Sequence, residues 1–470
     1  MLMKRSAHGT AVSAAETVAP SPALPDPADA EHARELRPAP PSTDTDVQRS
    51  VAVLAELFSG YGERDFDVRF WDGSIWPSQA GPPRFTLVLT HAGALHRMFA
   101  RRDEGRLGET YVARDFDIEG DLEASFRLAD HLLARPFSLR DRLRLARLLH
   151  RLPDVDRLDG AFTSASLRGQ AHSRTRDREA VTYHYDFSNE FFALFLDRAM
   201  VYSCAYFASP DEDLDTAQAR KLDYLCRKLR LQPGERLLDI GCGWGALLMH
   251  AARAWGATAT GITLSERQAA LATARIREAG LEDRCRVEVR DYRDLPADGQ
   301  YDKVVSVGMV EHVGAARLPD FCARVWQTLR PGGAFLLHGI GTSQPGLARR
   351  GPFAQHYVFP DTELVSIAST IEAAEATGFE VRDLESLREH YALTLRAWER
   401  RLQTRWTEAT SLAGDAACRV WRLFMAGAAY RFHVNDYNLY QTLLVKPADG
   451  ASGLPLTRAD WYRKQGGEFL

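Results

Sequence analysis

Long apolar runs are missing from this sequence. No stretch of its 470 residues approaches the roughly 18 consecutive apolar residues of a transmembrane helix. Residues 1–5 are followed by alanine, proline and acidic residues instead of an apolar core, so we expect no signal peptide. With 45% hydrophobic and 26% charged residues, the composition is that of a globular chain long enough for more than one domain.

Cysteine is scarce and the net charge is low. The six cysteines stand at positions 204, 226, 242, 285, 322 and 418 and form no C-x-x-C pair. This spacing argues against a zinc site and against a disulfide framework, and it predicts reduced thiols in a cytoplasmic protein without a metal. A net charge of −4 argues against a protein committed to nucleic acid, although not against a local basic patch.

The N-terminal part of the chain changes character near residue 49. Residues 1–48 are rich in Ala, Pro, Asp and Glu and lack aromatic residues, which predicts a disordered tail. Residues 49–135 contain short β-like pieces at 67–71, 85–90 and 115–118, separated by turns and helical stretches. This pattern predicts a small α+β domain.

Residues 136–181 are predicted to form a basic amphipathic helix and a linker. The helix covers 137–152 (FSLRDRLRLARLLHRL), where leucines alternate with arginines at 140, 142, 144, 147 and 151. Two interpretations stay open. The helix has either a solvated face with a leucine stripe toward the core, or a face that contacts a membrane surface.

Strands and helices alternate from residue 182 to residue 447. The predicted strands are 236–240, 258–263, 286–290, 303–307 and 334–340. The alternation predicts an α/β fold with a doubly wound parallel sheet. Residues 385–432 look mainly helical, 437–446 is a last strand, and 448–470 is a C-terminal tail.

Residues 238–245 (LDIGCGWG) are the most informative stretch of the chain. An apolar run suited to a buried strand leads into glycines and then into an amphipathic segment, 246–255, that Gly256 can close. Such a turn places backbone N–H groups where a nucleotide can bind. A dinucleotide fingerprint needs glycine at Ala246, so NAD is disfavoured. The D-x-G-C-G pattern resembles the S-adenosylmethionine loop of Rossmann-like methyltransferases.

Polar residues follow other predicted strands, at the edge where open α/β sheets bind ligands. Thr263 ends the second strand, Glu311 follows the fourth and His338 lies near the end of the fifth. If the first, fourth and fifth strands are neighbours, a spacing of about 4.8 Å lets Glu311 and His338 share one small polar site. Ser265 and Gln268 also fit a capping box, which gives Gln268 a structural interpretation.

Several longer motifs resemble those of cyclopropane-fatty-acyl-phospholipid synthases and their mycolic-acid relatives. They are HYDFSNEFF (184–192), MVYSCAY (200–206), DYRDL (291–295), SVGMVEHVG (306–314) and FLLH (335–338). The resemblance covers roughly residues 182–446 and, more loosely, 70–130. It implies a Rossmann-like class I methyltransferase domain with a mainly parallel seven-stranded sheet, preceded by the small α+β domain.

The resemblance also implies a set of site residues. The cofactor S-adenosyl-L-methionine would contact Tyr202, Ser203, Gly241, Gly243, Thr263, Leu264 and Gln268. A bicarbonate ion would be held by the backbones of Cys204 and Ile340 and by the side chains of Glu311, His338 and Tyr391. Tyr391 stands in YALTL (391–395), which is similar to the family's Tyr-x-x-Thr-Leu segment.

The chemistry of an isolated alkene explains this set. An alkene is a weak nucleophile, so it needs a strong electrophile held in line, which the sulfonium methyl supplies. The cation that results must lose a proton before water captures it, so the pocket must be dry, aromatic and equipped with a weak base such as bicarbonate. Cys204 is not expected to be a nucleophile, because no cation adjacent in sequence lowers its pKa.

The predicted function is therefore cyclopropanation of unsaturated phospholipid acyl chains, at the inner face of the membrane through peripheral contact. Three alternatives stay open: a methylene or methyl branch on the same lipid, amine N-methylation, and a non-catalytic lipid-binding protein of the membrane surface. The oligomeric state also stays open, with a homodimer as one option.

Overall fold

The N-terminal boundary of the folded chain lies slightly earlier than the sequence predicts. The computed structural model describes residues 45–101, 103–155, 167, 169–184, 187–344 and 351–462. Residues 45–48, which were assigned to the tail, belong to the first helix, because Val47 lies on the buried stripe of that helix together with Val53 and Leu54. The rest of the predicted tail lies outside the described residues.

A four-stranded sheet with helices forms the N-terminal part. Its elements are α1 (Thr45–Leu57), β1 (Asp67–Arg69), β2 (Ile75–Trp76), β3 (Phe85–Leu89), α2 (Ala94–Phe99), α3 (Glu104–Val112), β4 (Phe116–Gly120), α4 (Leu122–Ala134) and α5 (Leu139–Leu149). The strand order is β2-β1-β3-β4. The sequence missed the two-residue strand β2. The basic helix is shorter than predicted because Ser138 and Asp141 form a capping box at its start.

A seven-stranded sheet organises the remainder. Its elements are α6 (Arg174–His184), α7 (Asn189–Ala193), α8 (Leu214–Leu229), β5 (Arg236–Ile240), α9 (Ala246–Trp255), β6 (Thr258–Thr263), α10 (Glu266–Glu278), β7 (Cys285–Val289), β8 (Tyr301–Val307), α11 (Leu318–Thr328), β9 (Leu329–Gly341), α12 (Pro352–Tyr357), α13 (Ile367–Thr377), β10 (Glu380–Ser386), α14 (Arg388–Thr404), α15 (Trp406–Ala413), α16 (Asp415–His433) and β11 (Asn438–Val445).

The order of the large sheet is β10-β11-β9-β8-β5-β6-β7. Strands β5 to β9 run parallel, whereas β11 is antiparallel to both of its neighbours. The predicted mainly parallel sheet is confirmed, and β8 lies between β5 and β9 as the site argument required. The sequence missed β10, an edge strand whose charged and half-buried residues show little apolar alternation.

The predicted C-terminal tail packs against the fold as far as it is described. Trp461 is buried beside Leu225 and Leu229 of α8, and Arg230 forms an ion pair with Asp460 at 2.7 Å. Because burial of a large aromatic side chain is favourable, Trp461 and the ion pair hold this segment against α8. Within the described residues, no helix is long and apolar enough to cross a membrane.

Candidate active site

The glycine loop after β5 turns because three of its residues adopt left-handed backbone conformations. The φ angles are +90° at Gly241, +54° at Gly243 and +80° at Gly245. The N–H groups of Gly241 and Cys242 both donate to the carbonyl of Ile262, at 2.9 and 3.0 Å, which ties the loop to β6. A Cβ atom at Gly243 would meet no heavy atom within 4 Å, so this glycine borders open space. Helix α9 then begins at Ala246 and ends at Trp255, with Gly256 as its C-cap, as predicted.

A cavity of about 150 Å³ lies over this loop. All seven residues that the sequence assigned to the cofactor line it: Tyr202, Ser203, Gly241, Gly243, Thr263, Leu264 and Gln268. They come from the loop, from the end of β6, from the start of α10 and from the irregular segment before α8. The structure therefore brings together residues as far apart in the sequence as Tyr202 and Gln268, which are 66 positions apart.

The capping box predicted at the start of α10 is only half formed. The Ser265 hydroxyl accepts a hydrogen bond from the N–H of Gln268 at 3.2 Å, which is the expected cap. The Gln268 side chain instead accepts from the Thr263 hydroxyl at 2.9 Å. Both side chains are buried in the cavity wall, so the Gln268 side chain is held beside the ligand space by Thr263.

Two buried ionisable groups in the same wall were not assigned a role from the sequence. Burial raises the pKa of Asp239 to about 7, and its Oδ1 has no hydrogen-bond partner among the described residues. Burial lowers the pKa of Lys221 to about 8, and its Nζ donates to the Ser203 hydroxyl at 2.8 Å. The sequence pattern could have identified Lys221 as a buried lysine. It lies seven residues after Leu214 and four before Leu225, which is the helical spacing of the apolar face of α8.

A second cavity, of about 40 Å³, adjoins the first at Tyr202, Gly308 and His312, which line both. Glu311, Ile340 and Tyr391, three of the five residues that the resemblance assigns to bicarbonate, line this second cavity, which is called the reaction cavity below; Cys204 and His338 are not among its lining residues. Glu311 lies in a single 3-10 turn after β8 and is 3% exposed. Its Oε1 accepts a hydrogen bond from the N–H of Ile340 at 2.7 Å, so that amide is already used by the protein.

His338 lies on β9 directly opposite Gln441 of β11. The Gln441 side-chain nitrogen lies 3.1 Å from His338 Nδ1; in this orientation of the amide Nδ1 is the acceptor, and the proton of the neutral ring is then assigned to Nε2. Burial, together with Lys221 and Lys228, holds the pKa of His338 well below its usual value. The Nε2 atom has no hydrogen-bond partner within the described chain, so His338 can donate one hydrogen bond to a ligand.

Cys204 is fully buried, and its thiol donates to the carbonyl of Ala205 at 3.2 Å. Burial raises the pKa of the thiol far above its usual value, which agrees with the argument that Cys204 is not a nucleophile. The segment around it is anchored by α14: the N–H of Ala205 donates to Thr394 Oγ1 and that of Phe207 to His390 Nδ1, both at 3.0 Å. Neither Thr394 nor His390 was assigned a role from the sequence.

Aromatic rings form most of the remaining wall of the reaction cavity. The Tyr202 ring lies 5.1 Å from Trp398 and 6.5 Å from Phe359 between centroids, and the Tyr391 ring lies 4.7 Å from Phe432. Aromatic faces stabilise a nearby cation without offering it a nucleophile. The cavity therefore combines a buried carboxylate with rings suited to a carbocation.

A third cavity, of about 480 Å³, lies between the four-stranded part and α16. Its lining is almost entirely aliphatic and aromatic, with Glu104 and Arg431 among the few charged residues. Phe424 and Ala428 of α16 line both this apolar cavity and the reaction cavity, so the two spaces adjoin. The sequence did not predict this cavity, because its walls come from residues 54–133 and 351–437.

This sheet order, with a glycine loop after β5 and buried charge beside the loop, defines the fold of S-adenosylmethionine-dependent methyltransferases. The family model for mycolic acid cyclopropane synthetase matches residues 172–442. A probable fatty acid methyltransferase of Pseudomonas putida is 40% identical over 401 residues, which cover 84% of this chain and 96% of that protein. The chain belongs to the mycolic acid cyclopropane synthetase family.

Further relatives agree with this assignment. The cyclopropane-fatty-acyl-phospholipid synthase of Escherichia coli K12 is 36% identical over 275 residues, 58% of this chain and 69% of that protein. The solved cyclopropane synthase MmaA2 from Mycobacterium tuberculosis has a TM-score of 0.54 at 35% identity and covers 57% of this chain and 97% of its own. The chain is an S-adenosylmethionine-dependent methyltransferase of a family that acts on lipids, so the non-catalytic alternative is set aside.

The cofactor cavity also fits its ligand on structural grounds. A mycolic acid cyclopropane synthase, CmaA1, was solved in complex with SAH and CTAB, and it has a TM-score of 0.54 at 34% identity over 57% of this chain and 97% of its own. In the present chain, Asp239 Oδ1 has no partner within the described residues and Gly243 borders open space. A polar ligand that lies against bare backbone satisfies both features.

Proposed function

We propose that this protein transfers a methylene group from S-adenosylmethionine to a cis double bond of a phospholipid acyl chain, forming a cyclopropane ring. The observation that carries the proposal is the order of the three cavities. The cofactor cavity meets the reaction cavity at Tyr202, and the reaction cavity meets the apolar cavity at Phe424 and Ala428. An acyl chain in the apolar cavity would present a double bond to the sulfonium methyl.

The proposed reaction places specific demands on the protein. When bound, S-adenosylmethionine supplies the methyl carbon to one alkene carbon and leaves as the thioether. The rings of Tyr202, Tyr391 and Trp398 then face the cation left on the other alkene carbon. Removal of a proton from the transferred methyl lets its electron pair close the ring, so one CH₂ is added in total. Enclosure by buried aromatic groups keeps water from the cation.

We further propose that bicarbonate takes this proton in the reaction cavity. The ion has one O–H, which can donate to the Glu311 carboxylate, and oxygens that can accept from His338 Nε2 and from the Tyr391 hydroxyl. Two observations support this role: Glu311 and Tyr391 lie in the cavity wall, and the Nε2 atom of the buried His338 has no hydrogen-bond partner within the described chain. Because the Ile340 amide already bonds Glu311, its predicted contact with bicarbonate requires that bond to be exchanged.

A branched product is the second candidate, because the relative from Pseudomonas putida is described as a probable fatty acid methyltransferase. The first step is the same in both reactions. The products differ in which carbon loses the proton: the transferred methyl gives a ring, whereas a neighbouring chain carbon gives a branched alkene.

We propose that the protein reaches its substrate through peripheral membrane contact made by α5. Leu145 and Leu149 of this helix are buried, but Leu139 is 78% and Leu143 59% exposed. Arginines 140, 142, 144 and 147 are exposed beside them. Exposed leucines among arginines suit the boundary between acyl chains and anionic head groups.

The test is to incubate the purified protein with S-adenosylmethionine and vesicles of a monounsaturated phospholipid, and then to analyse the fatty acids by mass spectrometry and proton NMR. We expect the gain of one CH₂ with high-field cyclopropyl protons. A gain of one CH₂ with retained vinylic protons would identify the branched product, and no change would refute both candidates. Bicarbonate-depleted buffer should slow turnover, whereas full activity there would remove bicarbonate from the scheme.

A further inference from the structure

Lys221 is a fully buried cation that the described protein leaves without a carboxylate. It is 1% exposed and lines the cofactor cavity beside Ser203 and Asp239. Its Nζ donates to the neutral Ser203 hydroxyl at 2.8 Å, and no carboxylate of the described chain lies within 4.0 Å of it. A buried charge without an opposite charge is costly, so its retention indicates a partner that binds later.

Two acidic residues, Asp197 and Asp239, lie near Lys221 without forming an ion pair with it. Asp197 accepts hydrogen bonds from the N–H groups of Val201 and Ala199, at 2.7 and 2.9 Å, one on each carboxylate oxygen. Burial raises the pKa of Asp239 to about 7, while the positive charge of Lys221 acts in the opposite direction. Neither carboxylate forms an ion pair with the Lys221 ammonium, so the missing partner is an anion from outside the chain.

The other cations of the cofactor cavity already have carboxylate partners. Arg293 pairs with Asp291 and with Asp177, at 2.5 and 2.9 Å, and Arg290 pairs with Glu288 at 3.1 Å. These arginines follow β7, whereas Lys221 lies in the cavity wall beside Ser203 and Asp239 of β5. Among the described lysines and arginines that line the cofactor cavity, Lys221 is therefore the one without a carboxylate partner.

We propose that the Lys221 ammonium binds the α-carboxylate of S-adenosylmethionine. The carboxylate is the one anionic group of this ligand, and a buried ammonium without a counter-ion is the partner it requires. Ser203 accepts from Lys221 through its oxygen, which leaves its own O–H as a second donor to the same carboxylate. The inference rests on the proposed use of S-adenosylmethionine but not on the identity of the lipid.

Lys228 provides a matched comparison on the same helix. It is also fully buried, but its Nζ bonds the Glu385 carboxylate and lies 3.5 Å from Asp383. It does not line the cofactor cavity. Replacement of Lys228 should therefore remove an internal ion pair, whereas replacement of Lys221 should remove a cation that only a ligand neutralises.

The experiment compares S-adenosylmethionine with its decarboxylated analogue, which lacks only the carboxylate, by calorimetry in the absence of lipid. In Lys221→Met, the affinity for S-adenosylmethionine should fall about 100-fold. The affinity for the decarboxylated analogue should change less than about 3-fold, because that ligand has no group for the ammonium to bind. Lys228→Met should bind both ligands as the wild type does.

Thermal unfolding of the ligand-free variants gives a second readout. Lys221→Met should keep or raise the Tm of the wild type, and Lys228→Met should lower it, because only the latter breaks an internal ion pair, the one between Lys228 and Glu385. If Lys221→Met does not fold, Ser203→Ala serves instead, with a loss of about 5-fold for S-adenosylmethionine and none for the analogue.

Two outcomes would overturn the proposal. One is an equal loss of affinity for both ligands, and the other is no loss for either. A wild type that binds neither ligand would overturn the proposed function together with this inference. Normal binding without any lipid product would overturn the proposed function alone.

Discussion

The cofactor cavity and the apolar cavity differ in the residues that line them. The first is walled by glycine backbone at the ends of parallel strands and contains the buried charges of Lys221 and Asp239. The second is larger and is walled mainly by apolar side chains, many of them from α3, α4 and α16, with Glu104 and Arg431 as its charged residues. The cofactor cavity thus offers charged groups and the apolar cavity mainly apolar ones, and the proposed function places the chemistry in the small aromatic space between them.

The largest effect is expected in the reaction cavity, which lies between the cofactor cavity and the apolar cavity. Glu311→Gln should lower kcat roughly 1,000-fold, because a neutral amide cannot orient or assist the base that removes the proton. The affinity for S-adenosylmethionine should change little, since Glu311 lines the reaction cavity and not the cofactor cavity. Single-turnover kinetics and calorimetry measure the two quantities separately. Normal turnover with weakened cofactor binding would show that Glu311 serves cofactor binding and not the removal of the proton.

A change in the glycine loop should act only on the charged end. Gly243 has a φ of +54°, so Gly243→Val would strain the backbone and put a branched side chain into open cavity space. We expect roughly 50-fold weaker binding of S-adenosylmethionine by calorimetry, with the fold retained by circular dichroism. Gly234→Ala is the control, because Gly234 has a φ of +82° and open space but does not line the cavity. Unchanged affinity in folded Gly243→Val would refute this placement of the cofactor.

A change where the apolar cavity meets the reaction cavity should affect the use of the lipid and not the binding of the cofactor. Ala428 is 6% exposed and lines both the apolar and the reaction cavity, so Ala428→Phe would fill the passage between them. We expect kcat/KM for the phospholipid to fall roughly 30-fold. The affinity for S-adenosylmethionine should stay within about 2-fold, and Ala428→Gly, which shortens the side chain, should keep the lipid reaction. Normal kcat/KM in folded Ala428→Phe would show that the acyl chain enters by another route.

The smallest effect is expected at the surface. Replacing Arg140, Arg144 and Arg147 with Gln should weaken binding to anionic vesicles about 10-fold and flatten its salt dependence. The effect per charge is modest because the side chains are exposed and Arg144 already lies 3.2 Å from Glu56. Turnover of detergent-dispersed lipid should change much less. Vesicle binding that is indifferent to the three changes would make α5 a structural helix and place the membrane face elsewhere.

The sequence predicted best what is local. The strand β5, the glycine loop and α9 were predicted to the residue, because a buried strand, a tight turn and a capped helix each leave a short-range pattern. The seven cofactor residues share one cavity because strand ends of a parallel sheet meet at one edge. The apolar cavity and the ion pairs of α8 were missed, since they depend on contacts between residues far apart in the sequence, such as Lys228 with Glu385.

The walls of the apolar cavity have a thermodynamic consequence. One wall comes from residues 54–133 and the other from residues 351–437, so the space exists only when both parts of the chain are folded against each other. An acyl chain bound there adds its free energy to that state alone. The proposed lipid substrate would then act as a folding ligand, and it would couple the unfolding of the four-stranded part to that of the helix α16 which holds the site.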